Sequence, residues 1–213
     1  MIMSSLTSLY LGVIVPASTL IPITIGIIKY RRLVRRQRAL LLYLCIAVTV
    51  NAIATIYSHH NNLPLLHVYT MLEFILLVRY YVLVFSGRKT VPYLVAAAII
   101  FPVFCVVNFL FIQSIYTYNS YTRPVEAIFL VLCSLLYFAA PETGEEPWAD
   151  VPDNWVNAGI LLYFSGALAQ FSFSNVLEAT APHSVIMLIL VLHATLVLIM
   201  YILFTISFYK CSS

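Results

Sequence analysis

The sequence predicts an all-α fold, a single domain over residues 1–213 built as a bundle of seven membrane-spanning helices. Three observations carry that expectation. Hydrophobic residues make up 62% of the chain and charged residues only 9%, whereas a soluble domain carries roughly 25% charged residues. The mean hydropathy is +0.98. The apolar residues also gather into runs near the ~20 residues needed to cross the hydrocarbon core of a bilayer.

Taken in order, the runs place helices at 6–29, 39–58, 64–86, 91–113, 123–140, 155–174 and 184–209. The first contains Pro16 and Pro22 and the fourth contains Pro102; in a membrane bundle neighbouring groups satisfy the freed carbonyls, so these read as kinks rather than ends. No cleavable signal peptide is expected, because "MIMSSLTS" lacks a basic leading region and the arginines follow the apolar run. The third run is interrupted by charge, and the fifth and sixth are short. No internal repeat and no matched pair of broken helices is visible, which argues against an inverted-repeat transporter.

Orientation follows from lysine and arginine. The first loop, "KYRRLVRRQR", holds Lys29, Arg31, Arg32, Arg35, Arg36 and Arg38, and counting alternate loops puts Arg88, Lys89 and Lys210 on the same side. The opposite side has Arg123 alone, and Arg79 falls inside a span. The expectation is therefore an outside amino terminus and a cytoplasmic carboxyl terminus, in the inner membrane if the source is bacterial. The acidic loop "PETGEEPWADVPD" falls on the cytoplasmic side, and the tyrosines of "IYTYNSYTR" read as interfacial anchors at the outer surface. The basic first loop reads first as a topology determinant, with binding to anionic headgroups or a partner protein as the alternative.

The polar residues inside the spans are the candidates for function, because ionisable groups there are costly and usually face the bundle interior or a wet cavity. In "LLHVYTMLEFILLVRYY", Tyr69, Thr70, Glu73, Leu77 and Tyr80 share one helical face. Arg79 lies near the cytoplasmic end and can reach the headgroups. Glu73 sits about 13 Å below the outer surface at 1.5 Å per residue. His193 in the seventh helix lies at similar depth, with Asn51, Gln170, Ser172 and Glu126 also in the outer half and His59, His60, His67 and His183 at the outer rim. The inner half reads as comparatively bare. Glu73, His193, Asn51, Tyr69, His67 and Gln170 are thus the expected lining of an outward-facing pocket, with Glu73, His193 and Asn51 converging between the second, third and seventh helices. The plainer reading makes His193 a hydrogen-bonded core residue, Glu73, Asn51 and Gln170 interhelical bonding groups, and Glu126 an exposed first-turn acid.

Other chemistries find little support. No H-E-x-x-H or H-x-x-x-H pair occurs on one helix, so no metal site is expected and zinc stays a minor alternative. No G-x-S-x-G is present, no catalytic residue can be named, and the six glycines form no phosphate-binding loop. Nothing points to nucleic acid. Cys45, Cys105 and Cys133 read as small buried hydrophobes and Cys211 lies in the tail, with no C-x-x-C spacing. Retinal is excluded, since Lys29, Lys89 and Lys210 all lie at helix ends, and no D-R-Y or N-P-x-x-Y sequence occurs. No cofactor is expected.

The segments "HNNLPLLHVYTMLEF" and "LHATLVLIMYIL" resemble a group of small bacterial seven-helix membrane proteins without assigned activity. That resemblance implies a fold and a membrane location, and supplies neither a reaction nor site residues. The expected function is binding or sensing of a small or lipidic ligand in the outer half, coupled to a cytoplasmic or membrane partner protein, with membrane lipids as the surroundings. A non-enzyme is favoured. The alternatives are an intramembrane enzyme acting on lipid with Glu73 and His193 as acid and base, and a transporter or channel subunit with Glu73 as a proton site.

Overall fold

The computed structural model describes residues 5–57, 61–140 and 146–211, and among these there is no strand. Seven helices follow in chain order: α1 (Ser5–Ile28), α2 (Arg35–Ile56), α3 (Leu63–Val84), α4 (Val91–Phe111), α5 (Thr122–Phe138), α6 (Pro152–Thr180) and α7 (His183–Lys210). Six of them are long and apolar enough to cross a membrane. The exception is α5, whose 17 residues lie at the lower limit of the roughly 17–25 residues with which a helix crosses a bilayer. The length and composition of the six are those of a multi-pass membrane protein.

The helix ends differ from expectation where polar residues can still hold a helix. The sixth helix extends beyond 155–174 at both ends to cover Pro152–Thr180. Its carboxyl-terminal stretch is rich in hydroxyls, and these bond back to the preceding turn: Ser172 Oγ to the Leu168 carbonyl at 2.9 Å and Thr180 Oγ1 to the Val176 carbonyl at 2.8 Å. Such back-bonding hides the polar group within its own helix. Pro102 lies inside an otherwise continuous α4. In α1 a π-turn over Tyr10–Ile14 precedes Pro16, and the helix breaks at Thr19 before Pro22. Proline has no N–H to donate, so both sites loosen the ladder locally.

Packing places α6 between α5 and α7, and α3 beside α2, α4 and α5, while α1 lies on α7 and α2 and closes the bundle. Close approach is bought by small residues: a Cβ at Gly26 would lie 2.8 Å from Leu41 Cδ1, and one at Gly159 would lie 3.1 Å from Phe204 Cε1. This is the small-residue packing expected where lipid offers no hydrophobic drive between helices. Aromatic rings fill the interior, with Phe74 stacked on Phe101 at 4.0 Å between centroids. The α3–α4 turn uses Gly87 at φ 81°, a left-handed conformation that a Cβ would strain.

Side-chain contacts define the two ends of the bundle. At one end Asn61 Nδ2 donates to the Tyr116 carbonyl, His67 Nε2 to the Thr117 carbonyl, and Asn175 Nδ2 to the Tyr118 carbonyl. At the other, Lys29 Nζ donates to the Tyr209 carbonyl at 2.5 Å and Lys210 Nζ to Asp150 at 2.6 Å, beside Arg36 and Asp153. The tyrosine loop and the basic loop thus mark opposite ends.

Candidate functional site

The third helix turns Glu73 inward, where it is 1% exposed. Tyr43 from α2 donates its hydroxyl to Glu73 Oε1 at 2.8 Å, and Tyr69, one turn earlier on α3, donates to the same oxygen at 3.0 Å. Arg123 from the start of α5 donates through Nη1 to Glu73 Oε2 at 3.0 Å. Arg123 Nη2 reaches the Tyr163 hydroxyl on α6 at 3.3 Å, and its guanidinium lies 4.3 Å over the Phe171 ring. Four helices therefore meet at one buried charge pair. Burying either charge alone would cost several kcal/mol.

A second carboxylate belongs to the same cluster. Glu126, one turn after Arg123, lies 3.8 Å from Arg123 Nη1 and is 0% exposed. Neither of its oxygens has a hydrogen-bond partner. The expectation of an exposed first-turn acid is corrected: the first turn of α5 faces the bundle, and Arg123 is buried with Glu126. The cluster holds two acids and one base.

His193 meets this cluster through aromatic rings, its own ring centroid 5.5 Å from that of Tyr163 and 5.6 Å from that of Phe171. Its Nδ1 is buried with no partner. Contacts thus run from Glu73 through Arg123 and Tyr163 to His193. His193 also lines a groove of about 340 Å³ between α6 and α7, along with Gly166, Ala169, Gln170, Phe173 and Leu196. The wall is apolar, and Gln170 and His193 are its polar points.

The remaining expected residues separate. Asn51 is exposed on α2 and does not converge with buried Glu73; matched depth says nothing of azimuth. His67 is buried and tied to the Thr117 carbonyl at 3.0 Å, serving the loop rather than the cluster. His183 is exposed at the start of α7, and His59 and His60 lie outside the described residues. Nearby, burial raises the Tyr118 phenol in the α4–α5 loop, and Glu178 adds to the effect. Among the described residues no group of three His, Cys, Asp or Glu could hold a metal.

The half of the bundle that carries the basic loop, expected to be comparatively bare, is not bare, which is a second correction. Asp153, in the first turn of α6, lies with Oδ2 2.5 Å from Arg36 Nε. Its Oδ1 accepts from Gln37 Nε2 at 2.9 Å and from the Tyr80 hydroxyl at 3.1 Å. Asn157 Nδ2 donates to that hydroxyl at 3.3 Å. Arg36, Gln37 and Asp153 lie just outside the apolar runs at 39–58 and 155–174, where they read as loop until the helices prove longer.

Fold and site together define a multi-pass helical membrane protein with a buried ion cluster beside a largely apolar groove between α6 and α7. Comparison with protein-family models, with curated proteins and with solved structures gives no match, and the functional reading therefore rests on this geometry.

Proposed function

We propose that the protein crosses the membrane seven times with its amino terminus outside, and that it binds a small amphiphile in the outer-half groove between α6 and α7. The observation that carries this reading is the double position of His193. It lines the groove and packs on Tyr163 and Phe171, the two rings that contact Arg123. An occupant of the groove is then one aromatic layer from the Arg123–Glu73 pair, which links α3, α5 and α6. Occupancy would be sensed as a change in how these helices pack, and passed to a partner at the basic end. A mostly apolar site with a few polar points is the usual make-up of a small-molecule pocket.

The test is native mass spectrometry of the full chain in mild detergent, comparing wild type with Ala169→Trp, which fills the groove from an exposed position. A co-purifying lipid or amphiphile retained by wild type and lost from a folded Ala169→Trp protein supports the reading. Equal retention by both refutes it.

A second reading, a proton site in a transporter or channel subunit, is favoured by Glu126. Two acids facing one arginine carry an excess negative charge, and a proton or cation would neutralise it. The enzyme alternative has less support, since both Glu73 oxygens are engaged and Arg123 and Tyr163 stand between Glu73 and His193.

A further inference from the structure

A separate groove of about 660 Å³ opens at the opposite end of the bundle, between α2 and α3. Arg35, Arg38 and Arg79 line it together with Tyr30, Leu42 and Leu83. On α2, Arg35, Arg38, Leu42 and Cys45 fall at spacings of three, four and three residues, which is one stripe of a helix. At 1.5 Å per residue Arg38 lies about 4.5 Å in from the start of α2, and Arg79 about 7.5 Å in from the end of α3. The two helices are antiparallel neighbours, so the guanidinium-bearing positions face one another at nearly one level. Apolar Leu41, Leu42 and Cys45 continue the wall deeper into the span.

The charges in this groove are left over from the internal pairing. Lys29 is held by the Tyr209 carbonyl, Arg36 by Asp153, Lys210 by Asp150 and Arg123 by Glu73. Among the described residues Arg35, Arg38 and Arg79 have no carboxylate within ion-pair distance, and no acid lines the groove. Arg38 is stacked 4.9 Å over the Tyr30 ring, which limits its freedom while leaving its donors outward. Three arginines within about 7.5 Å of depth above an apolar wall match a phosphate joined to acyl chains, and arginine suits phosphate because its planar fork donates two parallel bonds.

We propose that this groove is a binding site for an anionic phospholipid, its phosphate held by Arg35, Arg38 and Arg79 and its acyl chain lying along Leu42 and Cys45. Arg79 then has a role beyond reaching general headgroups: it closes the site from the second helix. A phosphate group alone shares the charge but not the apolar wall, and a zwitterionic lipid shares the wall but not the net charge.

The experiment is native mass spectrometry of the full chain in neutral detergent, titrated with dioleoylphosphatidylglycerol, dioleoylphosphatidylcholine or inorganic phosphate. One saturable phosphatidylglycerol adduct is expected, at least about tenfold tighter than either other probe, because each arginine near an anionic lipid contributes about fivefold. The triple variant Arg35→Gln, Arg38→Gln, Arg79→Gln should weaken that adduct by at least about tenfold. The double variant Arg31→Gln, Arg32→Gln removes exposed charge outside the groove and should leave it unchanged. Should the triple variant fail to fold, Arg79→Gln alone decides, with an expected loss of about fivefold. Equal binding of the two lipids, equal binding of free phosphate, equal losses in the triple and double variants, or wild-type affinity in Arg79→Gln would each overturn the assignment.

Discussion

Arg123 Nη1 lies 3.0 Å from Glu73 Oε2, with the two side chains 8% and 2% exposed, and this pair ties α5 to α3 across 50 residues of chain. Its removal should be asymmetric. Arg123→Gln leaves two buried acids without a base and should cost about 3–5 kcal/mol, the range for breaking a buried pair. Glu73→Gln leaves Arg123 with Glu126 and should cost less, and the double variant should be more stable than Arg123→Gln alone. Denaturant unfolding in mixed micelles measures all three. A cost below about 1 kcal/mol for Arg123→Gln would show the pair to be no more than a weak interhelical bond.

Glu126 should respond in the opposite sense. Neither of its oxygens accepts a hydrogen bond, so Glu126→Gln loses no hydrogen bond and only a 3.8 Å ion pair, and it removes one of two acids facing a single arginine. The midpoint of thermal unfolding should stay level or rise. A loss of more than about 2 kcal/mol would mean that the carboxylate holds an essential partner, as for a buried charge left uncompensated.

The proposed orientation has a direct labelling test. Single cysteines at the amino terminus or within residues 114–122 should react with an impermeant maleimide on intact cells. Cysteines within 31–37 or 143–150 should react only after the membrane is opened. Reversed labelling would invert the bundle and turn the α6–α7 groove toward the cytoplasmic leaflet.

Cys211, just past the end of α7, should be a poor choice for such labelling. Burial pushes its thiol up to about 11, Asp153 adds to the rise, and Lys29 and Arg36 oppose it. With the other three cysteines replaced, alkylation should be slow at neutral pH and climb through pH 10, where an exposed thiol levels off above about 8.5. Between the ordinary value of 9.0 and about 11 the folded thiol keeps a proton that the unfolded chain releases. Stability from this group is therefore full below that window and falls as pH rises through it. A plateau below pH 9 would show the thiol to be exposed.

The helices were legible because apolar runs and the length of a bilayer crossing set them almost unaided. Helix ends were less so, since Arg35 and Thr180 lie outside any apolar run yet continue helices through good propensity and back-bonding. Glu73 was legible as a buried acid, and so was the need for a partner. Its partner was missed because Arg123 sits beside Pro124 at a helix start, where position alone reads as loop. A signal was present: Arg123 is the one base expected on the outer side, and Glu126 follows at a spacing that puts both on one face. Asn51 failed for the reverse reason, because depth was matched while rotation about the helix axis was not. The hydroxyls of Tyr43 and Tyr163 carry no sequence signal apart from a high tyrosine count, since only the packed bundle brings them to the charge.

The closing of α1 onto α7 bears on how the chain is made. Tyr10 bonds Thr195 across 185 residues and Lys29 bonds the Tyr209 carbonyl across 180. Of the helices described, α1 leaves the ribosome first and finds this neighbour last. At roughly 5–20 residues per second, it waits about ten seconds or more in lipid with only α2 to lean on. The close fit of Gly26 against Leu41 and the apolar outer surface of α1 suit such a wait. Biogenesis of this bundle should therefore be most fragile just before α7 is released, when an unclosed bundle is open to quality-control proteases of the membrane.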